Sequence, residues 1–343
     1  MTKKYKIVSL IIAFAVLISS TAIGVWAAQK VSTISFGESV NIQALDDASN
    51  IGMLNFLILG VDEDGTRCDT MMLASLDGYS ERVSVLSIPR DTRIMLNDSH
   101  QKINATVGVG QERAKSGEID EPEEVVIEEV KRLTGLPIHY FITVNFSGFI
   151  DIINVLGGVD FDVKYDMNYD DPTQNLHIHF KKGQQHLDGQ AAHDFVRFRH
   201  NNGGTAPGEY VMGDLGRIHW QQEFIKALMS QKLKPQYFMK INEIFGVVKD
   251  NVRTNYDMSD LMKQTNLVKS LSPENVQTYQ LPGDSEYIDD LWWFIQDDEK
   301  IAELVHEYFM PMSKEEWESK KTADAEKAAA AVTPSPTSNS EDE

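Results

Sequence analysis

Asn55-Phe56-Leu57-Ile58-Leu59-Gly60-Val61-Asp62 is an apolar run that closes on a glycine and an aspartate. Unbroken large apolar side chains, without polar alternation, describe a strand buried on both faces in the middle of an α/β sheet. At the carboxyl end of such a strand side chains open into a cleft, which puts Asp62 where ligands bind. Working outward, residues 70–76 and 83–88 read as two more strands, with Asp77-Gly78 as the turn between them. After Pro89 the pattern is irregular until Asp120-Glu121-Pro122. These three residues read as a helix start, with acids at the positive end of the helix dipole.

That helix runs to Leu133 and stops at Gly135 and Pro137. A strand at 140–144, a helix at 147–156 ending on Gly157-Gly158, and a strand at 159–163 follow. Further helices are expected at 189–195, 214–232, 235–248 and 259–270, then a strand at 276–281 and a helix at 301–308. Strands and helices alternate without repeats, so the expected fold is α/β: a three-layer α-β-α domain with a central mixed β-sheet, spanning 51–312.

Both ends differ from this middle. Lys3, Lys4 and Lys6 lie in a short N-terminus, 1–6, before the apolar run 7–28. A helix needs about 20 apolar residues to cross a hydrocarbon core of about 30 Å, so one transmembrane anchor is expected. The lysines stay cytoplasmic and the rest is exported, with 29–50 as a polar stalk. The rival reading is a cleaved signal peptide, whose apolar region is usually shorter and ends in a small-residue cleavage pattern. At the other end, 313–343 reads as a largely disordered acidic tail, because large apolar side chains almost vanish after Trp317.

The net charge of −20 and pI of about 4.8 argue against nucleic acid as a partner. Cys68 is the lone cysteine, which excludes an intrachain disulfide and a cysteine-based metal site. No Walker-type glycine loop is present, so a nucleotide triphosphate site of that sort is not expected.

Within this acidic chain arginines and aspartates recur at strand ends. The first three strands present Asp62, Arg67, Asp69, Arg90 and Asp91, each of which alone would be an ordinary solvated loop residue. Further on, Phe195-Val196-Arg197-Phe198-Arg199-His200 puts Arg197 and Arg199 on one face if the segment is extended. In Gly213-Asp214-Leu215-Gly216-Arg217-Ile218-His219-Trp220-Gln221, Arg217 and Gln221 share a helix face, and Asp214 is expected to cap the helix. Clustered arginines call for an anion, since the guanidinium fork binds phosphate bidentately. Neighbouring carboxylates suit Mg²⁺ bridged to that phosphate. The combination points to a pyrophosphate and one metal ion.

The stretches NFLILGVDEDGTRCDTMMLASLD (55–77), LSIPRDT (86–92), HQKINATVGVG (100–110), FSGFIDIINVLGGVDFDV (146–163), KGQQHLDGQAAHDFVRFRH (182–200) and GDLGRIHWQQEFIKAL (213–228) resemble the LytR-CpsA-Psr family of cell-wall transferases. They occur in family order. The resemblance implies a phosphotransferase that attaches polyprenyl-pyrophosphate-linked glycopolymers, such as teichoic acid or capsule, to the muramic acid 6-hydroxyl of peptidoglycan. Polyprenyl phosphate leaves. It further implies a Gram-positive host, a cell-membrane location with an extracytoplasmic catalytic domain, and Mg²⁺ on Asp62 and Asp69. The matching pyrophosphate ligands are Arg67, Arg90, Arg197, Arg199 and Arg217, with Gln221 supporting them and Lys102 in a Lys-Ile-Asn motif. Cys68, Trp220 and the 201–211 insertion depart from the family pattern.

The expected mechanism is metal-assisted phosphoryl transfer, with Asp69 or Asp91 as the proton acceptor. The donor's lipid tail is expected in an apolar groove lined by Phe146, Phe149, Ile153, Phe224 and Leu228; apolar residues at helical spacing are more often plain core. Two other readings use the same residues: a polyprenyl-pyrophosphate phosphatase, and a non-catalytic polyprenyl-phosphate-binding envelope regulator.

Overall fold

The computed structural model describes residues 53–232, 251–256, 273–313 and 315–323. The expected anchor, stalk, helices at 235–248 and 259–270, and the end of the tail lie outside these residues. Among the described residues no helix is long and apolar enough to cross a membrane.

The opening run forms strand β1 (Met53–Val61), and it pairs on both sides. It lies antiparallel to β2 (Cys68–Asp77) and parallel to β6 (Tyr140–Val144). Strand β3 (Arg82–Ile88) pairs antiparallel with β2; β11 (Val252–Thr254) and β12 (Val276–Gln280) form the edges. The order β11-β6-β1-β2-β3-β12 makes a six-stranded mixed sheet. Because β1 and β2 are antiparallel, the end of β1, the start of β2 and the end of β3 share one edge of the sheet.

Side chains alternate along β1, so Leu54 and Phe56 face one way and Leu57 and Leu59 the other, all buried. The first face is covered by α3 (Phe146–Val155) and α5 (Asp214–Lys232). The second is covered by α1 (Thr106–Ser116), α2 (Glu124–Thr134) and α6 (Asp298–Tyr308). Helices on both faces of a mixed sheet are the expected three layers. A third apolar cluster joins α5 to α4 (Gly189–Arg197) and to two small sheets. These are β7 (Val159–Val163) with β10 (Gly183–Leu187), and the hairpin β8 (Met167–Asp171) and β9 (Leu176–Phe180).

Several expectations need correction. The irregular stretch after Pro89 holds the hairpin β4 (Arg93–Leu96) and β5 (Ser99–Lys102), and then α1. Helix α1 was hidden by its glycines, which other backbone demands. A Cβ on Gly108 would lie 2.7 Å from the Thr66 carbonyl oxygen, and one on Gly110 only 1.9 Å from that of Pro122. The next helix starts at Glu124, whose carboxylate turns back to accept from the amides of Asp120 (3.0 Å) and Glu121 (2.8 Å). The ordered body also passes 312: residues 315–323 are helical, and Trp317 is buried under the Arg82 guanidinium, 5.2 Å from the ring centroid.

Candidate functional site

Between the first face of the sheet and helices α3 and α5 lies a cavity of about 470 Å³. Its inner wall is apolar: Ile58, Met72 and Val85 come from the sheet, Phe149 and Ile153 from α3, and Phe224 and Leu228 from α5. Phe146 stands nearer the charged end, with the Arg197 guanidinium over its ring at 4.7 Å. All five residues expected in an apolar groove therefore line one cavity. Ile153 and Phe224 also belong to the third core cluster, so they hold the wall together as well as forming it.

The other end of the cavity is cationic. Arg67, Arg90, Arg197, Arg199 and Arg217 all line it, together with Asp69 and Gln221. Three elements far apart in sequence bring them together: the shared edge of β1–β3, the end of α4, and the first turns of α5. Gln221 is oriented by donating to the Val196 carbonyl oxygen (3.0 Å) and the Thr70 hydroxyl (3.4 Å). Arg197 donates to Gln174 Oε1 (2.6 Å), which the β8–β9 turn carries to the cavity mouth.

At the centre sits Asp214. Its Oδ1 lies 2.5 Å from Arg217 Nη2, 2.7 Å from Arg199 Nη2 and 3.7 Å from Arg90 Nε. Arg90 also pairs closely with Asp69, and Arg217 donates to the Asp69 carbonyl oxygen (3.3 Å). The expected cap at Asp214 is not made, since Asp214 is the first residue of α5 and its Oδ2 takes no hydrogen bond among the described residues. Its carboxylate is instead the hub of three guanidiniums. Burial would raise its pKa, but Arg217, Arg199 and Arg90 hold it below the usual carboxylate range. Burial pulls Arg217 down to about 10, helped by Arg199 and Arg90, and it remains charged at neutral pH. Burial works the same way on Arg90, but Asp69 and Asp214 outweigh it.

The arginines are still underneutralised. Five guanidiniums line the cavity; Arg90, Arg199 and Arg217 meet the carboxylates of Asp69 and Asp214, and Arg67 lies 3.7 Å from that of Asp62. The Nε atoms of Arg90, Arg199 and Arg217 are buried without a hydrogen-bond partner among the described residues. Unpaired buried donors are costly, and the positive charge that the cluster keeps beyond its carboxylates favours a multiply charged anion in the cavity.

Asp62, Asp91 and Lys102 do not line the cavity. Asp62 Oδ1 accepts from the amides of Thr66 (2.7 Å) and Arg67 (3.1 Å), and Oδ2 from the Thr66 hydroxyl (3.2 Å). It orders the loop that presents Arg67, while Gln111 of α1 braces the same loop at the Gly65 carbonyl (2.7 Å). Asp91 and Lys102 form their own ion pair at 2.9 Å. A hard cation fits this oxygen donor set at Asp69, one of whose oxygens takes no hydrogen bond among the described residues.

Arg197 and Arg199 share the site, but not through strand alternation. Arg197 is the last residue of α4; the chain turns extended at Phe198 (φ −60°, ψ 140°) before Arg199. Asp188 caps that helix by accepting from the Ala191 amide at 2.9 Å, and Phe198 buries against Tyr210 (ring centroids 4.9 Å). The two departures at Trp220 and 201–211 form one packing unit, since Tyr210 from the insertion stacks on Trp220 at 6.0 Å. Cys68 is wholly buried and its thiol is pushed up to about 12, chiefly by burial, so it is no nucleophile. Tyr169, Gln174 and His193 also reach the cavity and carried no sequence signal beyond His193 lying one helical turn before Arg197.

The α/β domain thus joins a cluster of arginines to an apolar cavity. The LytR_cpsA_psr family model matches residues 20–309, and the chain belongs to that family. It is 32% identical over 253 residues to the polyisoprenyl-teichoic acid–peptidoglycan teichoic acid transferase TagU of Oceanobacillus iheyensis, covering 72% of each chain. It is 28% identical over 244 residues to the corresponding TagV of Bacillus subtilis; the match takes in 68% of this chain and 58% of that relative's length. The crystal structure of B. subtilis TagV superposes with a TM-score of 0.59 at 27% identity, covering 75% of this chain and 97% of that one.

Proposed function

We propose that the chain transfers a glycopolymer from a polyprenyl pyrophosphate to peptidoglycan; the relatives are named polyisoprenyl-teichoic acid–peptidoglycan teichoic acid transferases, which supports the coarser part of this reading. The observation that carries this reading is the joining of five arginines to an apolar cavity in a chain of net charge −20. The arginines suit the pyrophosphate of such a donor, and the cavity suits the first part of its prenyl tail.

In this reaction an acceptor hydroxyl, the muramic acid 6-hydroxyl, attacks the phosphorus next to the polymer. The bond from that phosphorus to the bridging oxygen breaks. The polymer ends as a phosphodiester on the glycan, and polyprenyl phosphate leaves. Arg90, Arg199 and Arg217, held in place by Asp214, stabilise the charge that grows on the bridging and leaving oxygens. Asp69 takes the hydroxyl proton; Asp91, the other candidate, is turned to Lys102 outside the cavity. Mg²⁺ on Asp69 and Asp62 would neutralise pyrophosphate charge.

We further propose that residues 7–28 anchor the chain in the cytoplasmic membrane with residues 29–343 outside. That arrangement keeps the cavity near a donor confined to the bilayer. The test is to incubate the full chain with a lipid-pyrophosphate-linked polymer, with and without peptidoglycan oligosaccharide. Polymer joined to the glycan, with polyprenyl phosphate released only when glycan is present, is the expected result. Equal release without glycan would mean hydrolysis, and no release with retained lipid would mean a binding protein.

A further inference from the structure

On the outer wall of the cavity the β8–β9 hairpin carries a second chemical cluster. Met167, Leu176 and Ile178 point into the third core cluster, so the alternate residues of both strands face solvent. On that face Asp170 pairs across the hairpin with His177, and Asn168 with His179. The ligand atoms of Asp170, His177 and His179 all lie within 4.8 Å of one another. Asp170 Oδ1 is 2.6 Å from His177 Nδ1 and 3.2 Å from His179 Nε2.

We propose that Asp170, His177 and His179 bind a divalent cation of the zinc class, which clamps β8 to β9. Two imidazoles and a carboxylate, with water in the fourth position, are a common open zinc set. Neutral imidazole favours zinc over magnesium, so this site is chemically distinct from the oxygen ligands of the arginine cluster.

The orientation of His179 is the second observation. Its Nδ1 lies 2.7 Å from Asn168 Oδ1, an acceptor, so Nδ1 carries the proton. In neutral His179 the Nε2 lone pair then faces the Asp170 carboxylate, acceptor against acceptor, at 3.2 Å. A second proton on the imidazole or a metal cation in its place resolves that conflict, so zinc binding competes with protonation of His179. The Nδ1–H to carbonyl bond is also the outer contact that orients metal-bound histidines. All three side chains are exposed, so an ion enters without any rearrangement of the core.

The clamp has a consequence for the cavity. The same hairpin delivers Tyr169, Gln174 and Leu176 to the cavity wall, and Gln174 holds Arg197. A two-stranded hairpin is marginally stable alone, and a cross-strand metal ties its strands together.

Zinc chloride titrated into the full chain by calorimetry, with magnesium chloride as control, tests the proposal. One zinc site per chain is expected, with slower amide hydrogen exchange over residues 167–180 when zinc is present. His177→Gln with His179→Gln should remove both effects, and Asn168→Ala should weaken binding by roughly tenfold. His186→Gln, which alters a separate histidine–aspartate pair, should leave both intact. No zinc binding by the unaltered chain, or zinc protection of 167–180 that survives loss of both histidines, would overturn it.

Discussion

Asp214 Oδ1 lies 2.5 Å from Nη2 of Arg217, and that same oxygen meets Arg199 at 2.7 Å. One carboxylate therefore orders arginines that reach the cavity from two separate segments of chain. Asp214→Asn keeps the shape and removes the charge, leaving guanidiniums packed against one another. Breaking a buried pair this way costs about 3 kcal/mol, with Arg90 and Arg199 partly relieved by solvent. Urea unfolding should show that loss, and pyrophosphate should raise Tm more in the variant than in the unaltered chain. The folded pKa of Asp214 is depressed, so its contribution is present above the unfolded carboxylate value and fades as pH falls through the folded one. The two proteins should accordingly converge in stability below about pH 4.

Arg90 and Lys102 were both expected to bind pyrophosphate, and the structure separates them. Arg90 lines the cavity, whereas Lys102 is paired with Asp91 away from it. Arg90→Ala should lower the transfer rate by about 2–4 kcal/mol of transition-state stabilisation, or roughly 30-fold to 1000-fold. Lys102→Ala should change it by less than about tenfold. Steady-state transfer assays on both variants check this; equal losses would place the pyrophosphate nearer the β4–β5 hairpin.

The sequence carried the sheet best where burial was continuous, as in β1, because two covered faces leave an unbroken apolar run. It carried α1 poorly, since Gly108 and Gly110 serve close backbone approach to Thr66 and Pro122, a demand made by distant residues. Arg197 and Arg199 were both placed in the site for the wrong local reason. Alternation and a helix end followed by one extended residue can each aim two such side chains alike. The hub role of Asp214 depends on Arg90 and Arg199, separated from it by 124 and 15 residues, and no local pattern contains that. The β8–β9 hairpin escaped notice because its outer face is polar and its inner face short.

The proposed metal dependence is tested at Asp69. Chelation with EDTA should suppress transfer, and added Mg²⁺ should restore it. Asp69→Asn should raise the Mg²⁺ concentration needed by about tenfold or more, and it should also lower the rate at saturating Mg²⁺, because the amide cannot take the hydroxyl proton. Asp62→Asn should act more mildly on Mg²⁺ demand while loosening the 62–67 loop, visible as faster hydrogen exchange at Thr66 and Arg67, whose amides it binds. Transfer that is indifferent to EDTA would remove the metal from the mechanism.

Acid should weaken the fold through His139. Its Nδ1 accepts the Asn55 amide at 2.9 Å, and the Asn55 carbonyl accepts the His139 amide in return at 3.0 Å. Burial lowers the His139 pKa, and protonation would place a proton where an acceptor is required. The unfolded chain therefore binds this proton first, so the stabilisation is complete above about pH 6.5 and is lost as pH falls toward the folded value. Tm measured from pH 7.5 to 5 should fall in the unaltered chain. The fall should be shallower in His139→Gln, which cannot titrate.

The apolar cavity makes the most discriminating prediction, because chain length can be varied in the donor. Leu228 lines the cavity from α5 and is half-buried, so a larger side chain there takes up lipid space before it disturbs the core. Leu228→Trp should raise KM for long polyprenyl donors by about tenfold, equivalent to the loss of a methylene group or two of buried tail. It should leave short-chain soluble donors nearly unaffected, since their pyrophosphate still meets Arg90, Arg199 and Arg217. A KM for the short donor that rises equally would mean that the substitution distorts the arginine cluster. An unchanged KM for the long donor would mean that the tail lies elsewhere, and Phe224 and Ile153 would then be core residues alone.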